Sequence, residues 1–78
     1  MTLEQLLNQA KRSNAMTDSI ERRIYQVVTP REVIDEHLAR LILEMLDEAK
    51  QLEHPTLMPR MIALRVVTAV LAGRKNSP

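Results

Sequence analysis

Few side chains in this sequence are placed to do chemistry. His37 and His54 lie far apart, and neither begins the His-Glu-x-x-His spacing that sets two imidazoles on one helical face for a metal. Helical di-iron sites use Glu-x-x-His, but the residue three before His37 is Ile34. The carboxylates include two pairs of sequence neighbours, Asp35-Glu36 and Asp47-Glu48. Neighbours on a helix point about 100° apart, so the members of each pair do not face one another across a cleft. Cysteine is absent, which removes thiolate metal sites, disulfides and thiol catalysis. No hydroxyl has a recognisable base, and one glycine cannot build a loop that cradles phosphate. The residue types therefore predict no catalytic residue, no metal ligand, no cofactor and no small-molecule substrate. His37 falls near Glu44 and Glu48 on a helical wheel and reads as a solvated histidine. His54, beside Pro55, reads as a helix-end residue whose charged form suits the helix dipole.

Composition bounds what could position such groups. The chain has 78 residues, 45% hydrophobic and 27% charged, which fits one globular domain spanning 1–78. Tyr25 is the sole aromatic and Gly73 the sole glycine, too little of either for strands and tight hairpins. An all-α fold is expected. The N-terminal residues lack the basic stretch and apolar run of a signal peptide. The most apolar stretch, Leu57 to Ala72, is interrupted by Arg60 and Arg65 and is shorter than the about 20 residues that span a bilayer. The expected location is cytoplasmic, with no membrane partner.

Helix starts are well marked. Thr2 with Gln5 fits a capping box, and Asp18 with Glu21 is a looser version. Thr29-Pro30-Arg31-Glu32 combines a Thr cap, Pro at the first helical position and Glu at the third. Pro55-Thr56 breaks the chain, Pro59 fits a first turn capped by Thr56, and Gly73 reads as a helix stop. These signals predict a small four-helix bundle with helices at 3–12, 18–28, 30–53 and 57–72, the last two forming a long hairpin.

Apolar spacing agrees with the caps. Leu3, Leu6, Leu7 and Ala10 make one stripe, and Ile20, Ile24, Val27 and Val28 another. On the third helix Glu36, Arg40, Glu44, Asp47, Glu48 and Gln51 gather on an arc of roughly 120°, leaving an apolar arc wider than a surface helix needs. The fourth is apolar nearly all round. Met58, Ile62, Val66, Ala69 and Val70 form one side, which reads as core. Leu57, Met61, Leu64, Thr68 and Leu71 follow 4-3-4-3 spacing, the pattern by which helices pair side by side. So short a chain buries only about 60% of its unfolded surface and cannot cover both sides. The 4-3-4-3 row is thus the candidate partner-binding surface. Charge divides along the same lines: residues 29–54 are net −4 and residues 55–78 are net +4. That complementarity favours pairing of the third and fourth helices.

Nucleic acid is the second possible partner. Lys11, Arg12, Arg22, Arg23, Arg60, Arg65, Arg74 and Lys75 could contact phosphates. Thr29-Pro30-Arg31-Glu32 resembles the opening of the helix-turn-helix in LuxR-type regulators, which implies DNA binding. The resemblance covers four residues, and the chain then runs into Leu41-Ile42-Leu43 where that family has a Gly-containing turn and a polar recognition helix. Base edges are read by polar side chains. The first expectation is therefore a non-enzymatic protein-binding module: a small adaptor, chaperone or regulatory subunit. It would act as an oligomer or in a heteromeric complex through surplus apolar helix surface. A small helical DNA-binding regulator is the alternative.

Overall fold

The computed structural model describes residues 1–51 and 58–75. Four helices account for most of them: α1 (Leu3–Arg12), α2 (Asp18–Tyr25), α3 (Glu36–Gln51) and α4 (Met58–Lys75). The fold is a small all-α bundle. Its sole departure from helix pairing, among the described residues, is an isolated antiparallel bridge between Thr2 and Val33.

The capping box of α1 forms as its residue types dictate. The Gln5 N–H donates to Thr2 Oγ1 at 3.2 Å, and the Thr2 N–H donates to Gln5 Oε1 at 2.9 Å. The helix closes in a Schellman arrangement. Asn14 adopts φ 60, its N–H donates to Lys11 O, and the Ala15 N–H donates to Ala10 O. The cap of α2 is Thr17, one residue before the expected Asp18; Thr17 Oγ1 accepts from the Ile20 N–H at 3.3 Å. This helix ends at Tyr25, not at residue 28. Val27 is consequently exposed rather than part of the stripe, while Val28 turns inward and is buried.

The largest difference from expectation lies at residues 29–35. Thr29-Pro30-Arg31-Glu32 does not start a helix. The Glu32 N–H donates to Thr29 O and the Arg31 N–H to Thr29 Oγ1, which closes a turn, and the chain then runs extended through Val33. Helix α3 begins six residues later than predicted, at Glu36. Asp35 is its cap, with Oδ1 accepting from the Leu38 N–H at 2.8 Å. The extended segment lies along the start of α1. Its Pro30 and Glu32 carbonyls accept from the Glu4 and Leu3 N–H groups, and the Ile34 N–H donates to Met1 O. At the other end, Gly73 does not stop α4, which continues to Lys75.

Packing follows from these placements. Helix α4 lies against α2 and α3, and α1 lies against α3. Gly73 is close to Leu38, and Arg74 bonds to Glu32, so α4 runs antiparallel to α3 as the expected hairpin requires. Lys50 Nζ donates to Ser13 O at 2.8 Å, joining the C-terminal ends of α3 and α1. One core contains the buried residues of α1, Ile20 and Ile24 of α2, and Ala39, Ile42, Leu46 and Ala49 of α3. Ile62, Ala63, Val66, Val67 and Val70 supply the contribution of α4. No buried side-chain nitrogen or oxygen among the described residues lacks a partner. No helix among them is long and apolar enough to cross a membrane.

Candidate interaction surface

Helix α4 carries the candidate site because its two sides have different fates. Val66 is fully buried, and Ile62, Ala63, Val67 and Val70 surround it in the core. Of the residues expected on this inner side, Ile62, Val66 and Val70 are buried and Ala69 is half-buried. Ala63 and Val67 were not assigned to it from the sequence. Their burial widens the inner arc toward the side of Arg60. The side chain of Met58 lies outside the described residues.

The opposite side is open. Leu64 is 66% exposed, Met61 46% and Leu71 37%, and Thr68 between them is exposed. Leu57, the remaining member of the expected row, lies outside the described residues. Large apolar side chains at this exposure make a contiguous row along one helix, which differs from the scattered single leucines normal on protein surfaces. At 1.5 Å per residue the row from Met61 to Leu71 is about 15 Å long. Arg60 and Arg65 stand on either side of it, both exposed. Among the described residues neither has an acidic side chain within ion-pair distance.

Other exposed apolar side chains lie outside this row. Leu41 on α3 is 48% exposed, while its neighbours Leu38 and Met45 are half-buried. Val33 is 77% exposed. Its side chain points outward because the bridge to Thr2 fixes the backbone of an extended segment that sequence reasoning took for helix. The polar arc of α3 is placed as expected: Glu36, His37, Arg40, Glu44, Asp47, Glu48 and Gln51 are all exposed.

Polar contacts tie the frame together. Lys11 bridges Glu21 at 2.6 Å and Asp18 at 3.2 Å, tying the end of α1 to the start of α2. Tyr25 donates to Glu21 Oε2 at 3.3 Å. Partial burial, and then the charge of Glu21, push the Tyr25 hydroxyl up to about 12. Arg74 Nε donates to Glu32 Oε2 at 2.9 Å and its Nη2 to Oε1, a bidentate pair that holds the Glu32 carboxyl below its usual value. Shallow hollows of about 520 Å³ beside Asp18 and Tyr25 and about 320 Å³ between Glu32, Leu38 and Arg74 open beside these pairs. Among the described residues no three acidic or histidine side chains converge as metal ligands would. Comparison with protein-family models, curated proteins and solved structures finds no match for this chain.

Proposed function

We propose that this chain is a non-enzymatic protein-binding module, a small adaptor, chaperone or regulatory subunit of the cytoplasm. It works in an assembly through the outer side of α4. The observation that carries this reading is the exposure of Met61, Leu64 and Leu71 in one row, on the helix whose other side forms the core. Apolar surface that a chain cannot bury on itself gains about 25 cal/mol per Å² when another chain covers it. Thr68 within the row suits a contact that tolerates some water, and methionine at position 61 adapts to the shape of a partner.

Two substitutions test this reading. Val66→Arg puts an unpaired charge in the core at a cost of several kcal/mol and should unfold the chain. Leu64→Arg, on the open side, should leave circular dichroism unchanged while lowering the assembly state by light scattering or releasing a partner recovered by affinity capture from the native host. The opposite pattern would assign the two sides of α4 the other way round. A wild-type chain that stays monomeric at high concentration and captures no partner would remove the binding role.

A further inference from the structure

The chemistry of the partner follows from the charges beside the row, provided the row is the protein-binding surface just proposed. Setting Met61 and Thr68 at heptad position a, and Leu64 and Leu71 at d, places Arg65 at e and Arg60 and Arg74 at g. These flanking positions choose partners in paired helices, because they meet the flanking positions of the opposing helix. Arg74 is already engaged by Glu32. Arg60 and Arg65 are exposed, on opposite sides of the row, with no acidic partner among the described residues. Helix α4 itself contains no Asp or Glu.

A second copy of α4 fits this pattern badly. In a parallel pair, position g of one helix meets e of the next heptad on the other, so Arg60 would meet Arg65 of the second copy, twice by symmetry. In an antiparallel pair centred on the row, the two Arg65 side chains would converge near the two-fold axis. Like charges at such positions are destabilising. A nucleic-acid backbone would satisfy the arginines but leave Met61, Leu64 and Leu71 against phosphates. We infer that the outer side of α4 docks an amphipathic helix of another protein, whose apolar a and d residues are flanked by Asp or Glu at e and g.

The test is a selection from a displayed library of helical peptides with Leu at a and d and an equal mixture of Glu, Lys and Gln at e and g. The baits are the wild-type chain, Leu64→Arg, Leu64→Ser and the double variant Arg60→Glu/Arg65→Glu, each checked for helicity by circular dichroism. The expected result is enrichment of Glu at e and g on the wild type and of Lys on the double variant, with little enrichment on either Leu64 variant. A synthetic Glu-flanked peptide should bind the wild type about tenfold or more tightly than its Lys-flanked counterpart, a preference of about 1.4 kcal/mol. Leu64-dependent enrichment without a charge preference, or with a preference unmoved by the double variant, overturns the acidic partner and leaves the binding surface standing. Self-association through the row, read as wild-type dimers that Leu64→Arg and Leu64→Ser make monomeric, does the same. Enrichment equal on the wild type and the Leu64 variants overturns the surface as well. So does duplex DNA binding that is lost in the arginine double variant and kept in the Leu64 variants.

Discussion

Asp35 and Thr29 separate a cap that forms from one that only fits the pattern. Asp35 Oδ1 takes the Leu38 N–H at the start of α3, whereas Thr29 Oγ1 takes the Arg31 N–H within a turn. Asp35→Ala should therefore cost about 0.5–2 kcal/mol. Thr29→Ala and the surface change His37→Ala should each stay within about 0.5 kcal/mol. Denaturant midpoints measure all three, and a larger loss at Thr29 than at Asp35 would return the helix start to residue 30. Tyr25 gives a second reading at this scale, since it is the sole aromatic and its absorbance titrates without interference. Its hydroxyl should ionise near 12 in the folded chain and near its ordinary 10.0 when unfolded. Because the folded value is raised, the associated stability is present below about pH 10 and lost as pH rises toward 12. A folded-state midpoint near 10 would mean that Tyr25 is not packed beside Glu21. Two residues carry meanings that local pattern does not reveal. Asn14 supplies the left-handed residue that ends α1. Gly73 sits within α4 where a Cβ would come 2.6 Å from Leu38 Cδ2, so it permits a close approach instead of ending a helix.

At the scale of elements, α1 shows how completely local signals can specify a helix. Its N-terminal cap and its stripe are legible because both lie within residues 2–10, and Leu3, Leu6, Leu7 and Ala10 are all fully buried. The start of α3 was not legible for the converse reason. Pro30 and Glu32 lend their carbonyls to Leu3 and Glu4, a pairing between segments far apart in sequence. An isolated Thr-Pro-x-Glu favours a helix start by about 0.5–2 kcal/mol through its cap. Placing the segment along α1 instead satisfies two helix N-terminal donors and buries Ile34, which tips the choice. This arrangement predicts slow amide hydrogen exchange at Leu3 and Glu4, comparable to Leu6, although first-turn amides of a helix ordinarily exchange freely. Exchange at free-peptide rates would show that the segment does not hold that position. The outer row of α4 was legible because 4-3-4-3 spacing is a local property. The exposure of Leu41 was not, because it depends on how the neighbouring helices are set against α3.

Across the whole molecule, charge is sorted by helix: the outer arc of α3 is mostly acidic, and α4 is basic without an acid. Among the described residues no ion pair joins α3 to α4, so the sorting acts on their pairing through no direct charge contact. The ion pair that, among the described residues, ties α4 to a distant segment joins Arg74 near its end to Glu32 on the extended segment. It links the last turn of α4 to the segment that pairs with the start of α1. The Glu32 carboxyl is held below its ordinary 4.5 by the hydrogen bonds and charge of Arg74, with partial burial opposing. A lowered folded value means that the stabilisation is present above about pH 4.5 and is lost as pH falls through the folded value. Glu32→Gln keeps the side-chain shape and removes the charge. Its thermal midpoint should lie below that of the wild type at neutral pH, and the gap should close as pH drops below the folded value and the wild-type carboxyl takes up its proton. A gap that stays constant with pH would assign the loss to packing of the extended segment and not to the ion pair. Arg74→Gln should give the same closing gap, because the pair is one bidentate interaction seen from its other side.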